Sequence, residues 1–188
     1  MFPGTHRVQF IPDDPDASND GVDRATEGMM KPTDFAAPIT ERYFEDYVPG
    51  SVFEYGAISV DEAEVIEFAK RFDPQEMHTT PETAARGPFG GLIASGWHTA
   101  GLAMRLLVDN YISKVASLAS PGVDEVRWPR PVRPGDDLRI RVSVLEARRS
   151  RSKPDRGIVR THVEVLNQNQ ELVMGLTAVN ILRCRQTG

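Results

Sequence analysis

The sequence contains a single cysteine and no long hydrophobic run. Cys184 excludes a disulfide within the chain and a zinc site built from several cysteines, and it is typical of a reducing compartment. The longest uncharged stretch, residues 87–104, has five glycines and few large apolar side chains, so it does not favour a membrane-spanning helix. Residues 1–12 lack the apolar run of a secretory signal. We therefore expect a cytoplasmic protein with no membrane partner.

Common motifs for cofactor binding and catalysis are also missing. The chain has neither the phosphate-binding G-x-x-x-x-G-K-[ST] loop nor a G-x-G-x-x-G turn between a strand and a helix. It has no G-x-S-x-G nucleophile motif, and its four histidines lack a metal-binding spacing such as H-E-x-x-H. We expect no bound cofactor and no metal.

Charge is distributed unevenly along the 188 residues, whose formal net charge is −5. Residues 1–94 contain 18 acidic and 7 basic residues, whereas residues 95–188 contain 9 and 15. The negative net charge of the whole chain argues against a general nucleic-acid-binding protein. The basic excess lies between Arg127 and Arg160, where it fits either a small polyanionic ligand or a solvated face of strands with outward arginines.

Residues 1–40 differ from the remainder of the chain. They contain five prolines and an acidic run at 13–16, with no helix or strand periodicity, so we predict an extended or disordered arm followed by one domain at 41–188. In that domain Ser59 and Glu62 form a capping-box pattern, which predicts a helix over 60–71. Thr80 and Pro81 predict a second, short helix ending near residue 86. Residues 92–112 are apolar on most sides, which predicts a long buried helix.

The second half of the chain changes to a period of two residues. Alternation of apolar and polar side chains predicts half-buried strands at 138–144 and 159–165. Residues 171–182 are apolar on both faces, which predicts a central strand, and residues 52–58 and 123–128 are further strands. One buried helix combined with consecutive antiparallel strands predicts an α+β fold in which the sheet wraps around the helix.

Asp73 and His78 are the first residues that suggest chemistry. They lie five residues apart on the irregular connection after the first predicted helix, where functional residues concentrate. A carboxylate and an imidazole that converge there can orient and deprotonate a water molecule and return a proton. Taken alone, the segment also fits an ordinary loop at the end of a helix.

The residues that follow His78 carry a resemblance to a known family. A Thr-Pro-x-x-Ala short helix at 80–84 is followed by the glycine-rich segment 89–97, and residues 131–138 contain a Pro-Val-Arg-Pro-Gly-Asp-Asp-Leu turn. Residues 43–183 thus resemble the MaoC-like dehydratases, whose best-known members are the (R)-specific enoyl-CoA hydratases of the hotdog fold. This chain departs from the family pattern at Phe72, which replaces a glycine, at residues 74–76, and at Ser95, which replaces a histidine.

The resemblance implies a hydro-lyase that adds or removes water at the 2,3 double bond of an enoyl-CoA thioester. It implies that Asp73 and His78 are the acid/base pair and that the backbone N–H of Gly96 is the oxyanion donor, with Ser95 and Trp97 beside it as substrate-binding residues. It also implies a homodimer whose sheets join edge to edge, or a higher homo-oligomer. Trp97 and Phe89 are expected in the acyl tunnel or the core.

Further expectations concern the coenzyme and the competing functions. Arg127, Arg130 and the basic loop 148–153 are candidates for binding the coenzyme A phosphates. A hotdog thioesterase is one alternative, although Asp109 is the only acid on the long helix and is far from Gly96. A non-catalytic acyl-CoA-binding protein is the other, because the loop 74–77 departs from the family pattern.

Overall fold

The computed structural model describes residues 32–186, which contain five strands and four α-helices. After a 3₁₀ turn (Phe44–Asp46), these elements are β1 (Val52–Ser59), α1 (Glu62–Phe72), α2 (Glu76–Thr79), α3 (Pro81–Ala84), α4 (Gly96–Asn110), β2 (Ser117–Arg127), β3 (Asp137–Arg149), β4 (Arg156–Leu166) and β5 (Leu172–Arg183). The strands form one antiparallel sheet in the order β1-β3-β4-β5-β2. The predicted α+β class is confirmed, and the fold is a hotdog fold in which the sheet wraps around α4.

Alternating side chains of the sheet supply the core beneath α4. Val142 and Val144 of β3 and Val163 and Val165 of β4 are almost completely buried, as their period of two predicts. Leucines at positions 102, 106 and 107 of α4 pack against them. This packing fixes α4 along the concave face of the sheet and so determines where the first turn of α4 lies.

The capping box predicted at Ser59 is wrong. Strand β1 extends through Ser59, which pairs with Asp137 and donates a hydrogen bond to its carboxylate. The residue that begins α1 is Asp61, whose side chain accepts a hydrogen bond from the backbone N–H of Glu64 (3.0 Å). The pairing register of β1 therefore decides between two plausible helix caps.

The long helix begins at Gly96, four residues later than predicted. Residues 92–94 lie outside the helix, and their backbone donors bond to other segments: the N–H of Ile93 donates to Met77 O (3.1 Å) and that of Ala94 to Val132 O (2.8 Å). The helix is also less buried than predicted within the chain. Trp97, Met104 and Val108 form an apolar stripe on α4, with exposed fractions of 63%, 50% and 45%.

Residues 32–40, assigned to the arm from the sequence, pack on the domain. The ring of Phe35 stacks on that of Phe53 with 4.0 Å between centroids, and the N–H of Thr33 donates to Val52 O. The buried guanidinium of Arg42 donates to the carbonyls of Asn110 and Tyr111 at the end of α4. The arm's residues 1–31 lie outside the described residues. Within 32–186, no helix combines the length and apolar character needed to cross a membrane.

Candidate active site

Asp73 lies directly after α1 and is held by donors from two different segments. Its backbone N–H donates to Ala69 O, which ends the helix at this residue. Its side chain is 21% exposed; Oδ2 accepts a hydrogen bond from Ser95 Oγ (2.7 Å) and Oδ1 accepts one from Gln75 Nε2 (2.7 Å). These hydrogen bonds, that from Ser95 above all, lower the pKa of Asp73, so the group is a carboxylate at neutral pH.

His78 lies on the short helix α2 with 5% of its surface exposed. Its Nδ1 is 2.9 Å from the carbonyl oxygen of Ile93. Because a carbonyl oxygen only accepts hydrogen bonds, this contact assigns the proton to Nδ1. In the neutral imidazole, Nε2 is then an unprotonated acceptor.

The predicted pair is brought together by the turn between α1 and α2. His78 Nε2 lies 3.5 Å from Asp73 Oδ2. With neutral His78 both atoms are acceptors, so a group that bridges them has to donate to them. Water can donate to both atoms at once, whereas a substrate hydroxyl can donate its single proton to one of them; these are the groups that a hydratase or dehydratase must bind.

Ser95 and Gly96 form the beginning of α4 beside this pair. Ser95 is completely buried and is the N-cap residue, because its Oγ accepts a hydrogen bond from the N–H of Trp97 (3.3 Å). Gly96 is the first residue of the helix, where a backbone N–H has no acceptor within the helix. The N-terminus also presents the positive end of the helix dipole, so Gly96 N–H is suited to an oxygen that gains negative charge.

Trp128 is a residue at this site that the sequence analysis did not assign. Its indole lies directly over Gly96: a Cβ added there would be 2.8 Å from Cε2, 3.0 Å from Cδ2 and 3.1 Å from Nε1 of Trp128. The indoles of Trp128 and Trp97 are 5.4 Å apart in an edge-to-face arrangement. The close approach of this indole is one reason why a glycine is needed at position 96. The contact joins residues 32 positions apart, so no local sequence pattern indicates it.

Trp97 and Phe89 do not line the apolar cavity of the domain. This cavity, of about 220 Å³, lies between α4 and the sheet and begins at Ala100, one helical turn after Gly96. Ala103, Leu107 and Leu176 are among the side chains around it. Trp97 instead projects outward beside Trp128, and the Phe89 carbonyl accepts a hydrogen bond from Arg133 Nη2 (2.6 Å).

The two groups of basic residues proposed for coenzyme A lie at opposite ends of the sheet. Arg127, which directly precedes Trp128, ends β2. Its pairing partners across β5 and β4 lead to Arg141 of β3, so Arg127 and Arg141 lie at the same level of the sheet. The segment 148–153, predicted to be a loop, begins with the last two residues of β3 at the other end of that strand. Arg149 is eight residues and roughly 25 Å from Arg141. Within one chain, Arg127 is thus much nearer to Gly96 than the basic loop is.

His98 packs between α4 and α1. Its ring stacks on Phe68 with 4.9 Å between centroids, and its Nδ1 is buried with no hydrogen-bond partner among the described residues. Burial lowers the pKa of His98, so this histidine is neutral at pH 7. It faces α1 and stabilises the contact between the helix that ends at Asp73 and the helix that begins at Gly96.

These features define a hotdog domain in which an aspartate and a histidine lie close together near the N-terminus of the central helix. Residues 45–167 match the model of the MaoC-like domain, and the chain belongs to the MaoC-like dehydratase family. It is 36% identical over 110 residues to 3-hydroxyacyl-thioester dehydratase Z of Mycobacterium tuberculosis, an alignment that covers 57% of this chain and 73% of that protein.

Solved structures resemble this fold over most of the described domain. The crystal structure of a MaoC-like dehydratase from Rhodospirillum rubrum superimposes with a TM-score of 0.72 at 39% identity, covering 78% of this chain and 99% of that one. A Mycobacterium tuberculosis protein described as a double hotdog fold has a TM-score of 0.67 at 16% identity, covering 81% of this chain and 48% of that one. The second match is informative about the fold alone.

Proposed function

We propose that this protein is a hydratase/dehydratase of the (R)-specific enoyl-CoA hydratase type, which adds water to a 2-enoyl-CoA thioester or removes it from the 3-hydroxyacyl-CoA. The observation that carries this proposal is the 3.5 Å approach of His78 Nε2, with the proton assigned to Nδ1, to Asp73 Oδ2. Membership of a dehydratase family and the similarity to a protein named for a thioester dehydratase support the reaction class. Coenzyme A as the carrier is the finer part of the proposal.

In the hydration direction, water donates to both Asp73 Oδ2 and His78 Nε2 while its oxygen attacks C3. His78 takes the proton, the electrons of the double bond move toward the carbonyl, and the resulting negative charge on the thioester oxygen is stabilised by Gly96 N–H. The His78 imidazolium then gives up a proton to C2, which completes the addition of water and regenerates the neutral imidazole. Asp73 orients the water rather than deprotonating it, because two hydrogen bonds lower its pKa and make it a weak base.

The apolar cavity after Gly96 is the site that we propose for the acyl chain. It begins at Ala100, so an acyl group whose thioester carbonyl lies at Gly96 can extend along α4 into it. The other end of the thioester then points toward Trp128 and the neighbouring Arg127. A thioesterase is less well supported, because Asp109 lies about 20 Å along α4 from Gly96 and its carboxylate binds Arg105 (2.6 Å).

Turnover is tested by the loss of enoyl absorbance with crotonyl-CoA and with longer and branched 2-enoyl-CoAs. Asp73→Asn and His78→Gln should each reduce kcat by at least about 100-fold without unfolding the protein. Glu76→Gln and His162→Gln are matched controls, since they make the same chemical changes outside the pair. An Asp73 or His78 variant that keeps the turnover of the wild type would contradict the assignment. Hydrolysis of the thioester would favour a thioesterase, and binding without turnover would favour a non-catalytic acyl-CoA-binding protein.

The role of Gly96 N–H is tested by comparing Gly96→Pro with Gly96→Ala. Both variants add a Cβ, but only proline removes the N–H. Proline is well tolerated at the first helical position, and Ser95 already has the backbone angles that a residue before proline adopts (φ −57°, ψ 141°). We expect kcat of the proline variant to be about 100- to 1,000-fold below that of the alanine variant. Equal kcat values would exclude this N–H as the oxyanion donor.

We also propose that the protein forms a homodimer through β2. This strand is at the edge of the sheet, pairs only with β5 among the described strands and is exposed along nearly its whole length. Leu118 and Val123 expose apolar side chains on it, close to the apolar stripe of α4. Pairing with β2 of a second copy would cover this edge. Light scattering should give twice the chain mass, and Leu118→Glu with Val123→Lys should shift it to one chain mass; a wild-type monomer would contradict this.

A further inference from the structure

The hydroxyl of Ser95 links the two halves of the candidate active site. It donates its one proton to Asp73 Oδ2 (2.7 Å) and accepts a hydrogen bond from the N–H of Trp97 (3.3 Å). The side chain has no exposed surface, so water does not compete for either hydrogen bond. One hydroxyl thus caps α4 and holds the carboxylate of the acid-base pair.

We propose that Ser95 is a positioning residue for Asp73: it fixes the carboxylate oxygen that faces His78 and keeps the carboxylate as an acceptor for water. This inference rests on the proposed hydratase function. The family resemblance implies that Ser95 binds substrate, whereas in the structure its hydroxyl donates to Asp73.

The arrangement of donors around Asp73 supports this role. Oδ2 is the oxygen that both Ser95 and His78 contact, whereas Oδ1 accepts from Gln75. With one donor on each oxygen, from segments on either side of the carboxylate, the group is held against rotation. The titratable group that faces it is His78. Without the Ser95 hydroxyl, Oδ2 would lose its fixed donor beside the water-binding position.

Removal of this hydroxyl should change both the protonation and the orientation of Asp73. The pKa of Asp73 should rise, because a hydrogen bond to the charged form is lost. Turnover should fall by about 10- to 100-fold, as expected when a hydrogen bond to a charged group at the reacting centre is removed. The loss should be in kcat rather than in KM, since Ser95 contacts Asp73 and not the acyl chain.

Ser95 would also stabilise the protein if it only capped α4. A control at a second helix cap distinguishes this capping role from the positioning of Asp73. Asp61 caps α1 with a comparable hydrogen bond to Glu64 N–H and does not contact Asp73. Asp61→Ala is thus a control that loses a cap only. Gln75→Ala is the complementary variant: it removes the donor to Oδ1 but no cap, because the Gln75 side chain caps nothing at the start of α2.

The experiment measures Ser95→Ala, Ser95→Thr, Gln75→Ala and Asp61→Ala in the full-length protein. The pKa of Asp73 is followed by the carboxyl ¹³C chemical shift, assigned with Asp73→Asn, and kcat and KM are measured against pH with a 2-enoyl-CoA. We expect the Asp73 pKa to rise in Ser95→Ala and, in the same direction, in Gln75→Ala. Ser95→Thr, which keeps the hydroxyl, should restore the wild-type pKa, and Asp61→Ala should not change it.

An unchanged pKa of Asp73 in Ser95→Ala would overturn the proposal. So would a Ser95→Ala variant that loses stability but keeps a kcat as high as that of Asp61→Ala. Should Ser95→Thr not fold because its methyl group is buried, Gln75→Ala still tests the effect of donors on Asp73, and absence of any shift there would count against it. The ¹³C titration does not depend on turnover. A wild-type protein that lacks hydratase activity but shows the Ser95 effect on Asp73 would therefore refute the proposed function alone.

Discussion

Gly96→Ala tests whether Trp128 determines the residue at the start of α4. The added methyl group would lie 2.8–3.1 Å from three atoms of the indole, a separation that requires the ring to move. Overpacking of this kind costs about 1–3 kcal/mol. Alanine recovers up to about 1 kcal/mol in helix propensity relative to glycine. We expect a net destabilisation of about 1–2 kcal/mol and a decrease in Tm of about 2–8 °C.

Unfolding by urea and by heat, followed by tryptophan fluorescence, provides the measurement. The sequence has two tryptophans, and both belong to the Trp97–Trp128 pair, so their emission also reports movement of the indole in the folded state. Gly101→Ala is the control on the same helix, because a Cβ at Gly101 meets no atom within 4 Å. It should leave stability unchanged or raise it by up to about 1 kcal/mol.

A double-mutant cycle with Trp128→Leu gives the decisive comparison. If the indole is the obstacle, Gly96→Ala should be nearly neutral in the Trp128→Leu background, and the two substitutions should be coupled by about 1 kcal/mol. Coupling below about 0.3 kcal/mol, or a Gly96→Ala effect no larger than that of Gly101→Ala, would refute this explanation. Because Gly101 is an exposed residue of α4 between Trp97 and Met104 of the apolar stripe, the molar mass of its variant is checked first.

Three further predictions concern stability and its dependence on pH. Arg42→Ala should lower the free energy of unfolding by about 2–3 kcal/mol in urea, because it leaves the carbonyl of Asn110 without its donor and removes one of the two donors to the carbonyl of Tyr111. Exposed Arg105→Ala should change it by less than about 0.5 kcal/mol. The lowered pKa of Asp73 stabilises the folded protein at neutral pH, and this stabilisation is lost as the pH falls through the folded-state pKa. Between pH 7 and pH 3, the free energy of unfolding measured in urea should therefore decrease less in Asp73→Asn than in the wild type. The lowered pKa of His98 means that the unfolded chain binds its proton more readily, so stability should fall as the pH drops below about 6.5, and His98→Phe should reduce this loss between pH 7 and pH 5.

The elements with strong periodicity were predictable from the sequence. Alternation in β3 and β4 places their valines on the buried face, and Pro81 marks the start of α3. The first six residues of β2 were missed, since Pro121 and Gly122 argue against a strand. An edge strand tolerates proline because one side of its backbone has no partner in the sheet. The sheet order, which local patterns do not contain, was needed to identify β2 as an edge.

The proximity of Asp73 and His78 could likewise be predicted, because they lie on either side of one short turn after a recognisable helix. The hydrogen bond from Ser95 to Asp73 spans 22 residues, and the indole of Trp128 reaches Gly96 from 32 residues away. Both contacts depend on the tertiary fold, in which the sheet that wraps around α4 brings the end of β2 and the start of α4 close to the end of α1. A glycine, a serine and a tryptophan have many roles in proteins, so their residue types alone could not specify these contacts.

The consecutive positions of Ser95 and Gly96 have a consequence for the chemistry. Ser95 holds the carboxylate of Asp73, and in the proposed mechanism the N–H of Gly96 binds the thioester oxygen, so a shift in the first turn of α4 displaces both together. A shift of α1 would displace Asp73 alone, away from Ser95 and His78. The stacking of Phe68 on His98 opposes that second movement, because it packs the last turns of α1 against the first turn of α4. In the proposed mechanism, the contact of these two helices thus maintains the distance between the attacking water and the thioester oxygen. Substitutions at Phe68 should then lower kcat, although its ring lies outside the Asp73–His78 pair.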